Sequence, residues 1–156
     1  MPTTPPDHAG VRLPPPFFYA IPFCAGLLLH RVHPIPILRR EMSAVPGLVL
    51  AVLGLLLVAW ALGLFARART SPIPVKPTTA IVETGPYRFS RNPMYVGLTL
   101  LYTGLALWID TLWPLLFLPV VLVVVQRAVI AREERYLEAK FGEGYLGYKS
   151  RVRRWL

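Results

Sequence analysis

Apolar and polar positions divide this chain into blocks too long for the helices of a small soluble fold. Phe17 to His30 is apolar up to its last residue and continues through Val32 to Leu38, with Pro22, Pro34 and Pro36 placed to kink or end it. After the break at Arg39-Arg40-Glu41, Val45 to Ala66 runs without a charge. At about 1.5 Å per residue, that second block is long enough to cross a hydrocarbon core of ~30 Å. Met94 to Ile109 is a third block, and Asp110-Thr111-Leu112-Trp113-Pro114 reads as a tight turn into a fourth from Leu115 to Ala131. Both are near the short end for spanning, so they are expected to form a hairpin that tilts or locally thins the bilayer. No breaker follows until Gly142, so the fourth helix is expected to emerge into the polar phase. The pattern predicts an all-α integral membrane protein with about four transmembrane helices, as a single membrane domain over 1–156. Residues Met1 to Pro16, rich in proline and without periodicity, are expected to be a mobile tail.

Composition agrees with the pattern. The chain is 54% hydrophobic and 16% charged, with mean hydropathy +0.50, whereas soluble domains run to about 45–50% apolar and about 25% charged. The net charge of +9 comes from residues that flank apolar blocks and do not form a soluble basic face. Membrane lipids are therefore the expected partners, with no nucleic acid. Cys24 excludes an internal disulfide and, lying in an apolar run, is expected in the core. The positive-inside rule places the Arg67 to Arg91 loop, the basic tail and both termini in the cytoplasm, as for a bacterial inner-membrane protein. Arg31, Arg39 and Arg40 run against that topology. Gly47, Gly54 and Gly63 leave room for close helix contact, though not as a clean GxxxG.

Candidate chemistry gathers in two polar clusters. The segment 67–93 turns polar and proline-rich, and its end, Glu83 to Gly97, packs Gly85-Pro86, Arg88, Arg91, Tyr87, Tyr95 and Asn92-Pro93 between apolar segments. Pro93 disfavours helix at Asn92 and suits the first turn of the helix that follows, so a shaped loop feeds a helix N-terminus. With Arg88 and Arg91 beside it, that end suits a carboxylate or phosphate. The second cluster lies on the emerging helix, where Arg127, Ile130 and Glu134 share one face and Gln126 and Glu133 its neighbour. Glu133 and Glu134 also fit a solvated face of helical ion pairs with Arg132, Arg135 and Lys140. The hairpin, however, returns them to the side where Arg88, Arg91 and Asn92 lie. The stripe Tyr95, Thr99 and Tyr102 fits helix packing as well as it fits a ligand. The tail from Phe141 to Leu156 reads as an interfacial anchor of cations and rings, with tyrosines and glycines placed to cover the clusters.

Gly85-Pro86-Tyr87-Arg88, Ser90-Arg91-Asn92-Pro93-Met94-Tyr95-Val96-Gly97, the hairpin, Arg132-Glu133-Glu134-Arg135-Tyr136-Leu137, and Phe141-Gly142 with Tyr145 and Tyr148 together carry a resemblance. The chain resembles the isoprenylcysteine carboxyl methyltransferase and phospholipid methyltransferase superfamily, as a short bacterial-type member, over roughly its C-terminal half. In that superfamily an RHPxY-type segment and a downstream Glu-Glu pair bind S-adenosylmethionine in a pocket sealed by the tail, and the acceptor enters from the lipid. The resemblance implies S-adenosylmethionine as cofactor. It implies a binding set of Tyr87, Arg88, Arg91, Asn92, Tyr95, Gly97, Glu133, Glu134 and Leu137, with Arg91 and Glu134 as catalytic candidates and no metal. Asn92 stands where the family carries a histidine. Asparagine cannot titrate near neutrality, so an imidazole base is not carried over. A carboxylate acceptor needs no base, and the reading therefore leans toward carboxyl methylation of an isoprenoid or other lipidated acid. Methylation of a phospholipid amine, an NADPH-dependent membrane reductase of the related sterol reductase fold, and a non-enzymatic membrane scaffold are the alternatives.

Overall fold

The structure, a computed structural model, describes residues 13–71 and 78–156. Most of the N-terminal tail and the middle of the 67–93 segment lie outside the described residues. Helix α1, Pro15–Val32, opens with proline at its first position, where the missing N–H would have no helical partner. Two residues assigned to the tail thereby join the helix. Helix α2, Arg40–Arg67, starts inside the expected polar break, with Glu41 in the first turn at the positive end of the helix dipole. Helix α3 is Pro93–Ile109 and α4 is Leu112–Val125. A π-helical turn, Gln126–Ile130, joins α4 to α5, Ala131–Phe141, and α6, Glu143–Arg151, follows. Among the described residues two helices, α2 and the continuous run Leu112–Phe141, are long and apolar enough to cross a membrane, and α3 is shorter but apolar. Leu48, Val52, Leu53 and Leu56 on α2 are exposed, an apolar face that lipid covers and water would not favour.

Helices α2 and α3 meet backbone to backbone. A Cβ on Gly104 would sit 2.3 Å from the Ala51 nitrogen, one on Gly54 2.4 Å from the Leu101 nitrogen, and one on Gly47 2.4 Å from the Trp108 nitrogen. Lipid gives helices no hydrophobic reason to associate, so this close approach, with its dispersion contacts, is what holds the pair. Gly63 faces open space and takes no part. Helix α1 lies along α4 through Gly26, where a Cβ would meet the Pro114 ring at 2.8 Å. Tyr19, Tyr95, Tyr102, Val121, Val125 and Ile130 form the core between these helices. Tyr102 donates to the Pro114 carbonyl at 2.8 Å and packs edge-on against Phe23. Tyr102 and Thr99 thus serve packing, and only Tyr95 of that stripe reaches the polar end. Turning Tyr19 and Gly26 inward leaves Cys24 exposed on the outer face of α1, contrary to its expected core position.

One end of the bundle is locked by Asp110, which adopts a left-handed conformation (φ 61°) between α3 and α4. Its carboxylate accepts the Ile37 and Leu38 N–H groups at 2.9 and 3.1 Å, and Trp113 donates to the His33 carbonyl at 2.7 Å. The α1–α2 connection and the α3–α4 turn therefore sit together. The end of α2, the start of α3, α5 and α6 gather at the opposite end. In the π turn the Ala131 N–H reaches back to the Gln126 carbonyl, which changes the angular relation between residues before and after it. Arg127 is consequently exposed while Ile130 and Glu134 are buried, and the face these three were expected to share is broken.

Candidate active site

The first wall of the site is the short 3-10 turn Gly85–Arg88. Gly85 has φ +61°, a conformation that favours glycine, and a Cβ there would lie 2.8 Å from Leu64. This turn buries Pro86 and Tyr87, and the Tyr87 ring meets Phe65 of α2 edge-on at 5.5 Å. The chain then reaches Ser90, whose Oγ accepts the Asn92 N–H at 3.1 Å before Pro93 opens α3.

The C-terminal residues form the second wall. Tyr148 donates to the Tyr87 carbonyl at 2.8 Å. Beyond α6, the chain runs beside Ser90 in a parallel bridge, with the Arg91 N–H on the Arg153 carbonyl at 2.9 Å. The Asn92 amide donates to the Arg154 carbonyl at 2.9 Å, and the Trp155 indole donates to Gln126 in the π turn at 3.1 Å. Asn92 thus lines the cleft while its amide group holds the tail. Asn92→Ala is expected to remove about 1 kcal/mol of this local attachment. Hydrogen exchange should then speed up across residues 152–156 with helix content unchanged, and unchanged exchange would show that the tail is held without Asn92.

Helix α5 supplies the acids. Glu134 is buried and takes a two-pronged contact from Arg154, Nε at 3.0 Å and Nη2 at 2.6 Å, with Arg91 Nη1 at 3.2 Å. Arg91 is itself only 8% exposed; its Nη1 faces Glu134 as an ion pair without hydrogen-bond geometry, and its Nε has no acceptor. Buried donors left in that state cost free energy until an acceptor arrives. Glu133 sits beside this network but accepts only the Tyr95 hydroxyl, at 3.0 and 3.1 Å to its two oxygens. Part of its surface faces the cleft, yet its carboxyl is densely surrounded. Burial pushes it up to about 7, the Tyr95 hydrogen bond works against that rise, and the Glu134 charge adds to it. Burial and the Glu134 charge push Tyr145 up to about 12, and burial raises Tyr87 and Tyr148, so these rings enter as neutral phenols.

These walls enclose a cleft of ≈ 790 Å³, counting the part open to solvent. Of the residues expected at the site, Tyr87, Arg91, Asn92, Tyr95, Glu133, Glu134 and Leu137 line this cleft. Arg88 is exposed and borders a separate hollow with Glu83 and Arg151. Gly97 packs against Gly54 and Val58 of α2. Sequence reasoning did not single out Arg154, Phe65 or Met94. Arg154 is one of three arginines in the last residues, and nothing in their spacing marks it. Phe65 closes an apolar helix like any other residue of its type.

The arrangement suits a ligand that carries both signs of charge. The Arg91 Nε would take a carboxylate, the two carboxylates a cation, and the phenol walls a cation or a flat ring. The aromatic and aliphatic side, with Phe65, Met94, Val82 and Leu137, faces the end of the apolar helices.

Comparison with known proteins fits this arrangement. An uncharacterized protein of Haemophilus influenzae is 43% identical over 63 residues, which is 40% of this chain and all of that protein. No solved structure matches. The phospholipid methyltransferase family matches residues 42–144, a stretch that holds α2 but for its first two residues, α3, the π turn and the glutamate pair, and the chain belongs to that family of membrane methyltransferases.

Proposed function

We propose that this protein is an S-adenosylmethionine-dependent methyltransferase that acts on an amine in the head group of a membrane lipid. The observation that carries this reading is the cleft where Arg91, Glu133 and Glu134 converge among neutral phenols at the end of the apolar helices. The cofactor's carboxylate would meet the Nε of Arg91, which has no acceptor, and its cationic groups the carboxylates of α5. S-adenosylmethionine, once held there, supplies a methyl group from its sulfonium. The protein's contribution is then alignment of acceptor and donor. On this reading α1 and α3 cross the bilayer with α2 and α4, and the cleft lies at the cytoplasmic face of a bacterial inner membrane. Support comes from the shared end of α2, α3 and α5 and from the basic residues of the loop and tail.

The acceptor preference differs from the one the sequence favours. That preference rested on Asn92 being unable to act as a base. Glu133, a carboxylate outside every ion pair among the described residues, disfavours an anionic acceptor and suits an ammonium. One observation supports the carboxyl reading: the Arg91 Nε, which has no acceptor, would hold an acceptor's carboxylate as well as the cofactor's.

Calorimetry on the purified protein in detergent, with S-adenosylmethionine, S-adenosylhomocysteine and NADPH in turn, is expected to show binding of the first two alone. Binding of NADPH alone would turn the assignment to a reductase, and binding of none to a scaffold. Incubation with methyl-labelled S-adenosylmethionine and membrane lipid, followed by mild alkali, separates the acceptors. Label that stays with the lipid marks an N-methyl group, and volatile methanol marks a carboxyl ester.

A further inference from the structure

Tyr87 and Arg88 are consecutive residues of the 3-10 turn, yet they face different spaces. Tyr87 lines the cleft, whereas Arg88 borders a second hollow of ≈ 610 Å³, counting the part open to solvent, with Glu83, Tyr148, Arg151 and Val152. Tyr148 lines both spaces, and its hydroxyl donates to the Tyr87 carbonyl. Hollow and cleft are therefore neighbours on the two sides of one short turn. In the hollow, Glu83 and Arg151 form an exposed ion pair at 3.1 Å. Among the described residues no ion pair engages the Arg88 side chain. The charges of the Glu83–Arg151 pair offset each other, and Arg88 leaves the hollow with a net positive charge.

On the proposed topology this hollow lies at the depth of lipid phosphates. Trp60 of α2, 55% exposed, lies against Gly85 at the head of the turn, where a Cβ would meet its ring at 3.2 Å. Phe89, next to Arg88, is 74% exposed. Tryptophan gathers at the boundary between hydrocarbon and head groups, so its contact with Gly85 marks the level of the turn. A guanidinium without a partner at that level meets phosphate esters, which its planar fork can hold through two parallel hydrogen bonds.

We propose that the hollow seats the phosphate of the acceptor lipid, with Arg88 as the contact that selects it and Arg151 at its rim, an inference that rests on the amine reading above. In an ethanolamine head group only an ester oxygen and a two-carbon link join phosphorus to nitrogen. A phosphate held beside the turn therefore leaves the amine a short reach from the cleft, past Tyr148. Arg88 becomes a specificity-determining residue, favouring amines that carry a phosphodiester over those that do not. Glu83 acts in the opposite sense, since its carboxylate draws Arg151 away and repels the phosphate.

The test follows label transfer from S-adenosylmethionine to phosphatidylethanolamine and to oleylamine, a lipid amine without phosphate, each in neutral detergent micelles. The quantity read is the ratio of the two kcat/KM values, in which any effect of a substitution on the cofactor cancels. Wild type should favour phosphatidylethanolamine. Arg88→Gln should lower the ratio about ten- to hundredfold, chiefly through KM for the phospholipid. Arg88→Lys, which keeps the charge without the fork, should recover part of it. Glu83→Gln should raise the ratio about two- to fivefold. Phosphatidylglycerol, a phosphodiester without an amine, should compete with phosphatidylethanolamine in wild type. An unaltered ratio in Arg88→Gln overturns the proposal, as does wild type that uses both amines equally well. If phosphatidylglycerol speeds oleylamine transfer and does not compete, the hollow belongs to a neighbouring lipid and its assignment to the acceptor falls. Wild type that labels neither amine would overturn the amine reading, and this site with it. That result is distinguishable because it appears without any substitution.

Discussion

Glu134→Ala is expected to lower the stability of the folded protein by about 3 kcal/mol and to abolish cofactor binding. In the folded chain this carboxylate neutralises two arginines. Arg91 is 8% exposed and has nowhere to turn, whereas Arg154, 36% exposed, can reach water. The cost therefore falls at the low end for breaking a buried pair, with Arg91 carrying most of it. The tail should also loosen, since Arg154 loses its side-chain partner while its carbonyl keeps Asn92. Adding Arg91→Met should recover much of the stability, because removing both members of a buried pair costs less than orphaning one. It should not recover binding. Thermal unfolding in detergent, followed by circular dichroism with calorimetry alongside, measures both quantities. A single variant as stable as wild type would show that the pair is screened by water.

Gly104→Leu is expected to have the largest effect of any substitution outside the cleft. The first carbon of the new side chain would lie 2.3 Å from the Ala51 nitrogen and 2.7 Å from the Gly47 carbonyl oxygen. Both obstacles are backbone, so no rotamer change relieves the overlap and α2 and α3 must separate along their length. Overpacking of this kind costs on the order of 3 kcal/mol. Because Phe65 of α2 and Tyr95 of α3 both line the cleft, separation should weaken cofactor binding as well. Gly63→Ala is the control. It faces open space in the same helix, and alanine there should gain up to about 1 kcal/mol from helix propensity. Equal losses in both variants would mean that helix α2 is sensitive everywhere and that the glycine contact is not special.

The helices were legible in the sequence because apolar length is a one-dimensional signal. Met94 to Ile109 differs by one residue from α3, and the run without a breaker up to Gly142 is the continuous helix Leu112–Phe141. The meeting of Arg91 and Asn92 with the glutamate pair followed from the hairpin alone. What escaped depends on rotation and on exact neighbours. Arg88 and Arg91 are three residues apart, yet the 3-10 turn sends one outward and the other into the cleft. Gly97 has the composition of a loop glycine and the function of a packing surface. Cys24 sits in an apolar run but on the exposed face of α1, so apolar neighbours in sequence say nothing about which side is inside. Arg154 is chosen over Arg151 and Arg153 by the path of the tail along Ser90, a contact between residues far apart in the chain.

The π turn separates two demands that one helix would otherwise have to satisfy together. On the proposed topology the apolar part, α4, answers to the thickness of the bilayer, which fixes how many residues lie between the Asp110 turn and the surface. Helix α5 answers to direction, since Glu133 must point at Tyr95 and Glu134 at Arg91. In an uninterrupted α-helix, length and direction are tied at about 100° per residue, and a span of the right thickness would present its acids at whatever angle remained. The wider loop of Gln126–Ile130 works as a phase adjuster between them. Anchoring of the Trp155 indole on Gln126 at this same place ties the closing tail to the point where the helix sets the aim of its glutamates.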